Sequence, residues 1–374
     1  MENLKVWQGL FDLFLWGVIV LILSPALKYP YKLIKSRRVF GILLILLFCI
    51  FPFWGGDYFH YKDSFDIIKM GGYTHLEAMY SWLILNVVDD YSIFRLIIWG
   101  FALTLLFLAY KRVGQNFDQA LYYFAALYLP WFSYARASLA MACILLGITF
   151  LVKPIRRFKI MSMIMGVTMV GGAIFFHKSA IVGMVAVLAT FFFSDTIRNK
   201  IILTILLYPI AVYFIAKAMD YYMMMDFSFD EETNIFVSER KRDRFLSGSG
   251  GFRFRGLGAS IGDILNRGSM LLMPICFVYF AVKGYYQKLT KIEKYFGAYV
   301  LCIVLLAVGF ILTTGYSTQI LFYRTLFYAY PANAVFLSAI KSRNEIKGLP
   351  NVIYWMGFAG SAYVLLYATY CAIV

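Results

Sequence analysis

Long apolar runs recur from one end of the chain to the other, separated mostly by short polar connections. Runs of about 20 apolar residues match the hydrocarbon thickness of a bilayer, and a helix satisfies its own backbone groups there. The pattern predicts twelve spans, over residues 8–27, 39–54, 92–110, 117–133, 137–152, 160–176, 179–194, 200–219, 268–283, 295–313, 319–340 and 350–372. The expected fold class is all-α: a polytopic transmembrane helical bundle forming a single membrane domain over residues 1–374. The first run, Leu10 to Leu27, lacks a strongly basic leading segment and a small-residue cleavage site, so it reads as a retained span.

Two connections are longer than turns. In 55–91, Leu76, Met79, Tyr80, Leu83 and Val87 recur at helical spacing on one face, which predicts a short amphipathic helix at the membrane interface. The second, 220–267, carries seven basic residues and eight acids. Gly248, Gly250, Gly251, Gly256 and Gly258 would let its backbone close over a ligand. Connections this long are uncommon in compact domains and tend to be functional.

Charge then orients the bundle. Alternate connections hold 20 of the 35 basic residues against four acids, while the rest of the chain holds 15 basic and 16 acidic residues. The positive-inside rule makes the first set cytoplasmic, with both termini and both long connections on the outer side. The net charge of +15 is thus accounted for by topology, and nucleic-acid binding loses its motivation. Hydrophobic residues make up 62% of the chain and charged residues 15%, well below the roughly one quarter charged of a soluble domain. All five cysteines lie inside apolar runs with no metal-ligand spacing, so they read as packing residues.

Ionisable side chains at membrane depth are costly and tend to have a partner or a task. Arg136 begins one span and His177 ends the next, with the basic turn KPIRRFK between them, which places both at the outer face. Arg136 is either a snorkelling anchor or a fixed cation for phosphate. Arg324, in ILFYRTLFYAYP, lies about a turn inside its span near the same face, and two arginines there would suit the forked oxygens of a pyrophosphate. His177 is either a structural interface histidine or a base or donor. Asp57 follows a Gly-Gly pair, with Tyr58, His60, Tyr61 and Asp63 close by: a carboxylate among aromatics that can hold a sugar, or a solvated turn acid. Glu77 and Tyr80 are neighbours at i and i+3 on the expected interface helix. In the long outer connection Arg244, Arg253 and Arg255 are candidate substrate contacts. There is no P-loop, GxSxG elbow, HExxH or DxD pair, so any chemistry would rest on arginines with a carboxylate or imidazole, with no cofactor and no obligatory metal.

The succession GGDYFHYKDSF, HLEAMYSWL, YARASLAMACILLG, FFHKSAIVGM and YRTLFYAY resembles the EpsG/Wzy-like polysaccharide polymerase family across nearly the whole chain. The resemblance implies a multi-pass glycosyltransferase of the C-type class in a bacterial cytoplasmic membrane, acting in exopolysaccharide, capsule or O-antigen assembly. It implies a substrate of oligosaccharide linked to undecaprenyl pyrophosphate, used at the outer leaflet within membrane lipid, and partners such as a flippase and a chain-length regulator. By residue match it places Asp57, Glu77, Tyr80, Arg136, His177 and Arg324 at family positions. Under it, Arg136 and Arg324 bind pyrophosphate, Arg253 or Arg255 closes from the large loop, and Asp57 or His177 is the base. Glu77 and Tyr80 would orient the acceptor sugar. A ligase or single-addition transferase with the same donor, a flippase or transporter, and a membrane acyltransferase are the competing readings.

Overall fold

The computed structural model describes the backbone of residues 2–27, 33–51, 56–72, 76, 78–114, 117–134, 137–224, 256–311, 316–341 and 348–371. Within those helices the side chains of 2–8, 56–60, 133–134, 192–199, 215–216, 218–224, 256–260, 263, 311, 316–323 and 368–371 are outside the description. All regular elements among the described residues are helical. They are α1 (Glu2–Leu23), α2 (Lys35–Ile50), α3 (Gly56–Lys69), α4 (Ala78–Asn86), α5 (Tyr91–Val113), α6 (Phe117–Leu127), α7 (Leu129–Tyr134) and α8 (Ser138–Val152). After these come α9 (Lys159–Phe176), α10 (Ala180–Asn199), α11 (Ile201–Met224), α12 (Gly256–Leu271), α13 (Met273–Val282), α14 (Lys291–Ile311), α15 (Tyr316–Lys341) and α16 (Leu349–Cys371).

Each of the twelve apolar stretches falls on helical backbone over most of its length. Among the described residues, six stretches are both long and apolar enough to cross a membrane: Gly9–Leu27, Tyr91–Val113, Arg156–Phe176, Ile264–Val282, Lys291–Phe310 and Leu349–Tyr367. Three local departures from the sequence pattern have physical causes. The stretch 117–133 is broken at Tyr128, because Pro130 has no N–H to give the carbonyl of Ala126. The connection 55–91 holds two helices where the pattern indicated one, since Phe65 on α3 packs against Tyr91 (5.6 Å between ring centres) and Phe94 (5.9 Å) on α5. The long connection is shorter at both ends than 220–267: α11 runs to Met224 and α12 starts at Gly256, so Gly256 and Gly258 are helical.

Lipid tails are as apolar as leucine, so helices associate here through close packing and hydrogen bonds rather than water exclusion. α8 is buried nearly all round, and α14 lies between α11, α10 and α15 with Val300, Leu301, Cys302 and Ile303 inaccessible. A helix apolar on all sides belongs inside. α9, by contrast, shows Ile160, Met161, Ile164 and Val167 to the outside, as a lipid-facing helix should. Small residues set the closest crossings. A Cβ on Gly147 of α8 would sit 2.7 Å from Val170 Cγ2 and 2.9 Å from the Gly166 carbonyl of α9. Gly147→Val is therefore expected to force α8 and α9 apart and remove about 1–3 kcal/mol of stability. A thermal melt in detergent checks this, and an unchanged midpoint would contradict the crossing.

Polar side chains finish the helix ends. Asp90 caps α5 by accepting from Ser92 N (2.8 Å) and Ile93 N (3.2 Å), and Gly114, with φ 110°, stops it. At one end of the bundle Arg38 Nε and Nη2 donate to Asp118 Oδ1 (2.6 Å) and Oδ2 (2.8 Å), and Leu33 N donates to Asp118 Oδ2 (2.9 Å). The hydrogen bond to Asp118 holds the Arg38 guanidinium above its ordinary pKa, against the opposing effect of burial. At the same end Arg112 Nη2 donates to the Lys153 carbonyl (2.7 Å), and Lys153 Nζ returns a bond to the Arg112 carbonyl (3.1 Å). Lys341 meets Asn351 across the turn between α15 and α16.

Candidate active site

α8 and α9 form an antiparallel hairpin closed by the basic turn at 153–158, so Ala137 and His177 emerge together at the end opposite that turn. At the start of α8 the Ser138 hydroxyl, almost inaccessible, donates to the Phe132 carbonyl of α7. Arg136, between α7 and α8 in sequence, lies outside the described residues.

His177 closes α9. Its backbone is extended (φ −164°, ψ 126°), and its N–H still bonds to the Ala173 carbonyl at 3.2 Å. The imidazole turns back on its own chain. Ser179 N donates to His177 Nδ1 at 3.1 Å, and Ser179 Oγ lies 2.6 Å from the same nitrogen. Ser179 Oγ is also 3.0 Å from the hydroxyl of Tyr328, a buried residue of α15. Arg324 lies four residues before Tyr328 on α15, hence on the same helix face one turn further out, and its side chain is exposed. The structure thus brings His177 and Arg324 to one corner of the bundle through Ser179 and Tyr328.

The same end gathers a further cation. Arg267 of α12, half-buried, holds its guanidinium 5.8 Å from the ring centre of Trp131 on α7. Trp131 in turn lies 6.4 Å from Phe327 of α15, next to Tyr328. Sequence reasoning counted Arg267 with the charges of the long connection and missed it as a site residue. Its signal was positional: it ends the charged stretch and opens an apolar one. Below this layer, Tyr128 stacks on Tyr330 (4.8 Å) at the break between α6 and α7, and Asn333 Nδ2 donates to the Tyr128 hydroxyl at 2.6 Å. Asn266 Nδ2 and Ser361 Oγ reach the Leu127 carbonyl at that break, at 3.2 and 2.6 Å. Trp131 Nε1, Thr325 Oγ1, Asn266 Oδ1 and Asn333 Oδ1 are buried and find no hydrogen-bond partner among the described residues. Buried polar atoms of this kind commonly mark a wet or ligand-binding site.

α3 and α4 pack against the first turn of α5 through Phe65 and Tyr80, and α4 also touches α9. Asp57 and Tyr58 fall in the first turn of α3, with their side chains outside the description. Tyr61 is half-buried, and Tyr80 on α4 is buried edge-on to Phe94 at 6.1 Å between ring centres. Lys69 Nζ to Asp89 Oδ1 (2.7 Å) ties the end of α3 to the cap of α5, and that bond holds the Asp89 carboxyl below its ordinary pKa. Glu77, Arg244, Arg253 and Arg255 lie outside the described residues. A second cation that the sequence reading did not single out is Arg95 of α5, 2% exposed. It donates to the carbonyls of Cys49 (2.6 Å) and Ile50 (3.0 Å) and lies 4.1 Å from the Trp99 ring centre. Its task is to close the end of α2.

Chemically, this end of the bundle offers arginine forks, an imidazole held by a hydroxyl chain, and aromatic walls. Such groups can receive an anionic leaving group and a sugar. Comparison with curated proteins and with solved structures gives no match. A family model does match: the one described as the EpsG family covers residues 37–372, nearly the whole chain, including most of α2, all of α3 to α16 and every candidate site residue. The chain belongs to the EpsG family, which points to a membrane protein of the polysaccharide-polymerase type.

Proposed function

We propose that the chain is a polysaccharide polymerase of the C-type glycosyltransferase class, working at the outer face of a bacterial cytoplasmic membrane. In this reading it spans the membrane twelve times with both termini outside. The donor is a growing glycan on undecaprenyl pyrophosphate, and the acceptor is an incoming lipid-linked repeat unit. The bond from the donor sugar's anomeric carbon to the pyrophosphate oxygen breaks, and a new bond forms to an acceptor hydroxyl oxygen. The hydroxyl proton passes to a base, and undecaprenyl pyrophosphate leaves with its negative charge.

The observation that carries this reading is the convergence of His177 and Arg324 at the bundle end opposite the basic turns. Cations preorganised in a water-poor site stabilise charge gathering on a leaving diphosphate. Arg136, Arg324 and Arg267 supply that charge here, Arg253 or Arg255 closes from the long connection, and Arg244 adds to it. Tyr58, Tyr61, Glu77 and Tyr80 belong to the acceptor side. The chemistry needs no metal, and a flippase and a chain-length regulator would supply and limit it.

Reconstitution tests the proposal. Purified protein in proteoliposomes, given lipid-linked repeats, should produce a ladder of lengthening chains. A single product on another acceptor would indicate a ligase or single-addition transferase, and movement of the lipid without new bonds would indicate a flippase. Single cysteines at 137 and 177, in a cysteine-free background, should both react with an impermeant reagent from the outer side. Labelling from opposite sides would remove the site.

A further inference from the structure

We propose that the corner where the end of α5 meets the turn between α8 and α9 binds the phosphate of an anionic phospholipid from the surrounding bilayer. The proposal rests on the chain being a membrane protein and is independent of the reaction it carries out.

At this corner Arg112 and Lys153 cross, each donating to the other residue's backbone carbonyl. Arg112 Nε also donates to Thr149 Oγ1 (3.0 Å), and its guanidinium lies 3.9 Å from the ring centre of Phe150. Two cations are therefore held side by side. The carbonyls belong to the last turn of α5 and to the residue that closes α8, and helix ends of this kind favour a cation. A single cation would serve that purpose. The turn then adds Arg156, Arg157 and Lys159, all exposed, three to six residues beyond Lys153. None of these five makes an ion pair among the described residues. The sequence has no acid within α5 and none between Asp118 and Asp195, so α8, the turn and α9 carry none. Asp118 itself is occupied by Arg38 and Leu33 N. The charge of Arg38 is matched inside the protein, whereas that of Arg112, Lys153 and the turn is left for an anion outside it.

The apolar neighbours identify that anion. Phe158 and Ile160 are 59% and 75% exposed, and Leu108, one turn before Arg112 on α5, is exposed as well. Ile155 N donates to Ser162 Oγ at 3.2 Å, which fixes the turn against the start of α9. Cations alternating with exposed apolar side chains suit the boundary between headgroups and acyl chains, with the apolar groups among the tails and the cations at the phosphate. A basic loop built for a soluble anion has no use for that apolar surface. Basic pockets between membrane helices hold acidic lipid headgroups by the same physics.

The test uses the full-length protein in a neutral detergent, titrated with phosphatidylglycerol, phosphatidylcholine or inorganic phosphate, with bound lipid counted by native mass spectrometry. Phosphatidylglycerol should bind at concentrations where phosphatidylcholine does not. Arg156→Gln/Arg157→Gln leaves the crossed pair untouched and should weaken phosphatidylglycerol binding by about 30-fold, the worth of two basic residues near a membrane surface. Arg112→Gln/Lys153→Gln should lose at least as much; if a melt shows that this variant no longer folds, the exposed pair decides alone. Lys283→Gln/Lys291→Gln, the same change of charge at a different basic turn, should leave binding near that of the wild type. An equal loss in that control, unchanged binding in Arg156→Gln/Arg157→Gln, or equal retention of the two lipids overturns the proposal. Displacement of the lipid by inorganic phosphate would make the corner a soluble-anion site and overturn the lipid assignment.

Discussion

Arg324→Ala is expected to leave the protein inserted and folded while slowing chain elongation by about 10²- to 10³-fold, the usual effect of deleting one preorganised donor to a developing oxyanion. The side chain is exposed on α15, so its removal leaves no cavity and no stranded charge. Arg324→Lys keeps the charge but not the planar fork, and should recover only part of the lost rate. The loss should fall on turnover more than on apparent affinity for the lipid donor, because the bond strengthens as the diphosphate departs. Wild-type chain length and rate in Arg324→Ala would remove the pyrophosphate role.

Arg95→Leu should do the reverse. Arg95 is buried, and two carbonyls at the end of α2 depend on it. Stranding two such acceptors costs about 2–6 kcal/mol in total, and the stacking over Trp99 is lost as well. A large fall in the melting midpoint in detergent is expected, with elongation lost only in step with the folded fraction. Arg95→Lys should melt between the two, since a single ammonium cannot span both carbonyls in the same geometry. A stable Arg95→Leu protein would show that α2 ends without help from α5. The pair of variants separates two uses of arginine at the same end of the bundle, one for a ligand and one for the fold.

How much of this could be read from residues follows from where the information lies. The helical bundle was legible because a bilayer imposes a length on every apolar run. The basic turns were legible because charge sidedness is a composition effect. The break at Tyr128 was harder, since the run from 117 to 133 stays apolar through it and only Pro130 marks it. The start of α12 at Gly256 was hidden by glycines that read as loop, yet further along the helix Gly262 and the Asn266 backbone pack against Tyr363, Val364 and Gly360 of α16. Tertiary contact decided there, against local propensity. At the site, His177 and Arg324 were each visible as polar residues next to apolar spans. What joins them, the bond from Ser179 to Tyr328, crosses 149 residues of sequence and has no local signature. Arg95 was silent for the same reason, as its carbonyl partners lie 45 and 46 residues away. Arg136, Glu77, Arg244, Arg253 and Arg255 remain readings of the sequence.

The proline break carries a consequence for biogenesis. The Leu127 carbonyl at the interruption is met by Asn266 and Ser361, which leave the ribosome 139 and 234 residues later. Until then, α6 and α7 must sit in the translocon or in lipid with that peptide group unsupported. The middle of the nascent protein is thus assembled last, and a truncated product ending before residue 361 should be recognised by membrane quality control and degraded.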